Sequence, residues 1–137
     1  MEQIKPKLLI TGINGYIGSW TTLKALECGE YIVRGTVRDT SNMGKIIKPA
    51  GGELGDSIDS SSPLYSRLKP LQDALGDKFN QIELFSADLT SKESLQKAVD
   101  GCDYVLHLAS PFPAESPKNE DEVINPAVEG TVGILEA

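Results

Sequence analysis

Residues 7–19, K-L-L-I-T-G-I-N-G-Y-I-G-S, decide how the rest of the chain is read. Lys7 to Thr11 has the apolar run of a buried strand, Gly12, Gly15 and Gly18 follow at three-residue steps, and an apolar-periodic segment begins at Tyr16. That order predicts a strand, a tight turn and a helix N-terminus. A helix start presents unpaired backbone N–H groups and the positive end of the macrodipole, which suits a phosphate or pyrophosphate. The first glycine permits the sharp exit from the strand, the second lets a diphosphate approach the backbone, and the third lets the helix lie close against the sheet. The spacing is G-x-x-G-x-x-G rather than G-x-G-x-x-G, and such a triplet also serves plain structural turns. The strand before it and the helix after it are the context that the dinucleotide-binding motif requires.

The 137 residues are enough for one domain with its own core. Thirteen basic against twenty acidic residues leave a formal charge of −7, which argues against nonspecific binding to nucleic acid or to an anionic membrane. No apolar run approaches the ~18 residues of a membrane span, and the opening M-E-Q-I-K-P-K lacks the apolar core of a signal peptide, which points to the cytosol. Cys28 and Cys102 lie far apart with no C-x-x-C, and His107 is the single histidine. Both thiols are expected to be reduced, and the ligand count is too small for zinc.

Taken in order, 16–28 reads as a helix with Ile17, Trp20, Leu23, Ala25 and Leu26 on a sheet-facing side, ended by Gly29. Residues 31–37, Y-I-V-R-G-T-V, are β-branched and bounded by turn residues, a second strand. Arg38 stands at its carboxyl end, where ligands of parallel sheets bind, and a guanidinium there suits the 2′-phosphate of NADP. Asp39 is the competing candidate for NAD, near the ~20-residue offset at which an acid meets the ribose hydroxyls. Lys45 is a second positive charge for the same phosphate. The glycine-, serine- and acid-rich 43–63 reads as a long mobile surface loop.

Leu64, Leu68, Leu71 and Leu75 recur at helical steps over 63–75, with Ser61 or Ser62 as cap and Pro70 expected to kink or to start the helix. Residues 81–86 form a third strand. Asp88 follows it, placed either to accept from an adenine amino group or simply to begin the loop. A helix over 90–99 with a partial capping box and a fourth strand over 103–108 come next. His107 lies in that strand with no acid or nucleophile at catalytic spacing, so it reads as a packed, hydrogen-bonded histidine. Residues 111–121 form a loop, and a last helix is expected to start near Pro126.

Four stretches, T-G-I-N-G-Y-I-G-S-W, V-R-G-T-V-R-D-T-S, S-A-D-L-T, and H-L-A-S-P with N-P-A-V-E-G-T, together resemble the cofactor half of one family. It is the dihydroflavonol-reductase and cinnamoyl-CoA-reductase branch of the extended short-chain dehydrogenases/reductases. The resemblance implies a Rossmann-type, doubly wound parallel α/β sheet with strand order 3-2-1-4, incomplete before its fifth strand. It implies that Gly12, Gly15, Tyr16, Ile17 and Gly18 line the diphosphate, and that Arg38, with Lys45, holds the 2′-phosphate. It further implies that Asp88 and Leu89 flank adenine and that Leu108, Ala109 and Ser110 pass under the nicotinamide-side ribose. Members of the family transfer hydride between NADPH and carbonyl or alcohol substrates.

The family's catalytic Y-x-x-x-K is missing from its place after the fifth strand. Among the four tyrosines only Tyr65 has a lysine four residues on, Lys69, and that pair precedes the third strand. The chain therefore reads as the NADP-binding part of an oxidoreductase, inactive alone. A non-catalytic dinucleotide sensor or interaction module, or half of an NAD-using epimerase or dehydratase, are the alternatives. Expected partners are the dinucleotide, a carbonyl substrate in a full-length form, and a second copy through the exposed edge of the fourth strand.

Overall fold

The computed structural model describes residues 3–111, 113 and 115–137. In chain order the elements are β1 (Lys7–Thr11), α1 (Tyr16–Cys28), β2 (Ile32–Val37), β3 (Ile46–Lys48), α2 (Leu54–Ser57) and α3 (Pro63–Leu75). A 3-10 helix (Gly76–Gln81), β4 (Glu83–Ser86), α4 (Lys92–Val99), β5 (Tyr104–His107) and α5 (Asp121–Leu135) follow. The sheet order is β3-β4-β2-β1-β5, with β4, β2, β1 and β5 parallel. Those four reproduce the expected 3-2-1-4 order. The addition is β3, antiparallel to β4 on the outer edge.

Alternation along the strands builds a core on each face. Leu8 and Ile10 of β1 join Val33, Leu84 and the leucines of α3 on one side, whereas Leu9 joins Phe85, Leu95 and Ala98 on the other. Because both faces are covered, β1 is apolar nearly throughout.

Helix α1 is rotated away from the expected orientation. Gly18, Thr22, Ala25 and Leu26 are buried, while Ile17 is 66% and Trp20 55% exposed. Gly18 has to face the turn before the helix, as shown below, and a residue two places on lies on nearly the opposite side of the helix. Trp20 therefore points to solvent rather than to the sheet.

Pro126 departs from the expected helix start, and Pro70 lies within its helix. Helix α3 is capped by Ser62, whose hydroxyl accepts from the Tyr65 N–H at 3.1 Å, and it runs through Pro70. Helix α5 starts at Asp121 and passes through Pro126. Each proline deprives the carbonyl four residues earlier, on Ser66 and Glu122, of its donor. Both of those residues are exposed.

The segment 43–63, expected as a surface loop, carries β3 and α2. Leu54 and Ile58 enter the larger core. Lys48 is fully buried, and its ammonium donates to the carbonyls of Ile82 at 2.7 Å, Pro49 at 3.0 Å and Asn80 at 3.2 Å, with the Phe79 ring 5.6 Å away. Burial pushes its pKa down to about 8 from the ordinary 10.5. The unfolded chain then holds more protons between these two values, so the contribution of Lys48 to stability rises with pH across that window. Denaturation of the wild-type chain and of Lys48→Met from pH 7.5 to 10 is expected to show the wild type gaining on the variant, with a slope approaching about 1.4 kcal/mol per pH unit. A flat difference would mean that burial does not disfavour the ammonium.

Candidate cofactor site

The turn after β1 is pinned from both sides. Gly12 takes φ +68°, its N–H donates to Thr36 Oγ1 at 3.2 Å, and the Ile13 N–H donates to the Thr36 carbonyl at 3.2 Å. Ile13 is fully buried over Gly35, where a Cβ would come within 2.5 Å of its side chain. On the other flank, Thr11 Oγ1 accepts from the N–H groups of Leu108 at 2.9 Å and Ala109 at 3.0 Å, and lies 2.9 Å from His107 Nδ1. A hydroxyl has two lone pairs and one proton. With both lone pairs engaged, Thr11 donates its proton to Nδ1, and His107 is neutral with its proton on Nε2. Burial also pushes the His107 pKa below its ordinary value. This is the packed, hydrogen-bonded histidine that its sequence context indicates.

The three glycines have different reasons. A Cβ on Gly18 would lie 2.1 Å from the Gly12 carbonyl oxygen, so the helix sits close on the turn itself rather than on the sheet. A Cβ on Gly12 would come within 3.0 Å of Ala109 Cα. Gly15 is unlike both: a Cβ there would meet only the Gly12 carbonyl oxygen, at 3.4 Å, so the fold itself does not require glycine at this position. Gly15 caps α1 without a side-chain hydrogen bond, and the first turn holds no acidic residue. The first backbone N–H groups of α1 therefore have no side-chain cap, the arrangement that suits an anion. The side chains of Tyr16 and Ile17 project into solvent.

At the carboxyl end of β2, the exposed Arg38 guanidinium has its Nε 3.7 Å from Asp88 Oδ2. Asp39 is turned inward on its own loop: one carboxylate oxygen accepts from the Ser41 N–H at 3.1 Å and the other from Asn42 Nδ2 at 2.7 Å. A cavity of about 640 Å³ opens here, and Arg38, Ile47, Ile58, Ser62 and Arg67 are among its lining residues. Arg67, on α3, donates from Nη2 to the Arg38 carbonyl at 3.0 Å. Lys45 is exposed and does not line this cavity; its carbonyl accepts from the Ser86 N–H at 2.9 Å. Arg67 escaped the sequence reading because 29 residues separate it from Arg38.

Burial alone would push the Asp88 carboxyl up, but the Thr90 hydroxyl and N–H, at 2.6 and 2.8 Å, together with Arg38, hold it below the usual range. Leu89 packs under Gly130 of α5, where a Cβ would lie 2.5 Å from it. Leu108 and Ala109 are partly buried and Ser110 is exposed. The structure therefore gathers the glycine turn with 107–109 through Thr11, and Arg38 with Asp88 and Arg67, along the carboxyl ends of the parallel strands. Tyr65 packs against the larger core and Lys69 makes an exposed pair with Asp73 one turn farther along α3. No helix among the described residues is long and apolar enough to cross a membrane.

Comparison with known proteins agrees with the fold. The dihydroflavonol 4-reductases of Zea mays and Arabidopsis thaliana are each 36% identical to the chain, over 133 and 137 residues. Those alignments cover 97% and 100% of this chain but 30% of either relative, so the chain spans about a third of their length. Vestitone reductase from alfalfa superposes with a TM-score of 0.58 at 28% identity, covering 97% of this chain and 32% of that one. A yeast methylglyoxal/isovaleraldehyde reductase, solved in complex with NADPH, shares the fold with a TM-score of 0.61 at 22% identity, over 95% of this chain and 32% of its own. Residues 8–137 match the NAD dependent epimerase/dehydratase family, and the chain belongs to that family.

Proposed function

We propose that this chain is the NADP-binding portion of a cytosolic oxidoreductase that moves hydride between NADPH and a carbonyl or alcohol substrate, as the name dihydroflavonol 4-reductase implies for its relatives. The observation that carries the reading is the uncapped start of α1 beside Gly15, where the chain leaves space that its own packing does not use. The nicotinamide, when bound, supplies the hydride chemistry. The backbone N–H groups of Tyr16, Ile17 and Gly18 hold the diphosphate. Arg38 holds the 2′-phosphate; the commitment of the Asp39 carboxylate to Ser41 and Asn42 favours NADP over NAD. Asp88 and Leu89 flank adenine, and Leu108, Ala109 and Ser110 pass under the nicotinamide-side ribose. The chain contributes binding rather than catalysis, because its one Y-x-x-x-K, Tyr65 to Lys69, lies on α3 before the third parallel strand, whereas the family's pair follows the fifth.

Calorimetric titration is expected to show NADPH binding more tightly than NADH, with Arg38→Ala cutting the preference about tenfold or more. Binding of neither dinucleotide would overturn the reading. Among the glycines, Gly15→Ala is expected to keep its melting temperature and lose dinucleotide affinity. Gly18→Ala should instead unfold at distinctly lower denaturant, from a cost of order 2–4 kcal/mol. Equal effects of both on stability would remove the case for an open cradle at Gly15.

Tyr104 is 57% and Leu106 41% exposed on β5, the sheet's outer parallel strand. Ile124, Val128, Val132 and Leu135 form an exposed stripe along α5. We therefore propose that the 137-residue chain self-associates through the exposed edge of β5. Sedimentation at micromolar concentration should give a mass above 14.7 kDa, and a single 14.7 kDa species would refute it.

A further inference from the structure

We infer that His107 is a positioning residue, fastening the 108–110 segment to the glycine turn through Thr11, and that a proton arriving on its ring undoes the fastening. The inference rests on the dinucleotide reading only for its consequence, a cofactor held less tightly in acid; the fastening itself belongs to the ligand-free fold.

The contacts meet at the hydroxyl oxygen of Thr11, a fully buried side chain. It accepts from the N–H groups of Leu108 and Ala109, at 2.9 and 3.0 Å, and donates its proton to His107 Nδ1 at 2.9 Å. Neither N–H has a second partner among the described residues. A hydroxyl has one proton and two lone pairs, so the arrangement is complete only while Nδ1 is bare. Protonation turns Nδ1 from acceptor into donor. Three donors then meet two lone pairs, and the Thr11 proton loses its acceptor. The ring and both N–H groups belong to the consecutive residues 107–109, so the crowding is felt along the segment. The turn feels it too, because Ala109 lies against Gly12, where a Cβ would come within 3.0 Å of the Ala109 Cα.

The surroundings leave the ring's proton to this local chemistry. Burial lowers the His107 pKa from its ordinary 6.5, and no charged side chain among the described residues adds to the shift. On the neighbouring elements Lys7 pairs with Glu83, Lys92 with Glu136 and Lys97 with Glu93. Asp121, Glu122 and Glu129 of α5 are exposed. Below the ordinary histidine value the closed arrangement thus holds fewer protons than the open one. Its contribution is complete above pH 6.5 and is lost as pH falls below that value.

Because His107 is the single histidine, its ring can be followed without ambiguity. Nuclear magnetic resonance of the intact 137-residue chain at pH 7.5 is expected to show the ring protonated on Nε2 alone. Titration to pH 5.5 should shift the Leu108 and Ala109 amide signals with the midpoint of the ring and speed their hydrogen exchange. His107→Asn, whose side-chain oxygen accepts from Thr11 but does not titrate, should hold both amides steady over the same range. His107→Ala should leave both fast-exchanging at every pH. Affinity for NADP should fall more steeply with acid in the wild type than in His107→Asn, the difference reaching at most about tenfold per pH unit for a single proton. A proton on Nδ1 at pH 7.5, or amides that ignore the titration of the ring, overturns the inference. Equal pH dependence of NADP affinity in the two chains overturns its consequence. Absence of NADP binding at every pH defeats the dinucleotide reading instead, and the amide signals still decide the fastening.

Discussion

The contact that everything else must respect is that of Gly18 with the carbonyl oxygen of Gly12. Only a residue without a Cβ fits there, and the fit fixes both the height and the rotation of α1 over the turn. Rotation then selects what is buried: Thr22, whose hydroxyl donates to the Gly18 carbonyl at 2.7 Å, and Ala25 and Leu26 beyond it. It also leaves the first N–H groups of α1 at the mouth of the turn. Thr36 and Thr11 complete the restraint by binding the turn to β2 and to the segment after β5. The geometry of this turn follows from packing that would be needed with no ligand at all.

Two buried cations fasten α4 and β3 to the sheet. Arg34 on β2 pairs with Glu83, its aligned neighbour on β4, and donates to the carbonyls of Ala98 at 2.8 Å and Asp100 at 2.9 Å, lying over the Phe85 ring. Those carbonyls belong to the end of the short α4, where a cation also meets the negative end of the helix dipole. Lys48 does the corresponding work for the three residues of β3. A cation removed from water is tolerable when oxygens replace its hydration, and each of these has at least three.

Much of the fold was legible because it rests on local pattern. The parallel strands show as β-branched or apolar runs, and the leucines of α3 fall on one face without ambiguity. What could not be read was set by contacts between distant residues. Trp20 looks like a core residue until the Gly18 contact turns α1 away from it. The 43–63 segment looks like a loop because Leu54 and Ile58 are isolated among glycine, serine and acid, and because Lys48 carries a charge that composition assigns to the surface. Around the candidate site, the glycine turn and Arg38 stand out in the sequence because they adjoin recognisable strands. Arg67 does not, since only the path of the chain through 43–63 brings α3 to that position.

The two ends of the sheet are unequal, and that inequality limits what the sheet can join. Strand β3 is three residues long, slips register between Ile46 and Lys48, turns its lysine inward, and is followed by Pro49, which has no N–H to offer. Each of these blunts an edge against a further strand. At the other end β5 is regular and open. If two such sheets met, pairing of β5 with β5 would use the one receptive border of both copies and would give a closed two-fold object in place of a fibre.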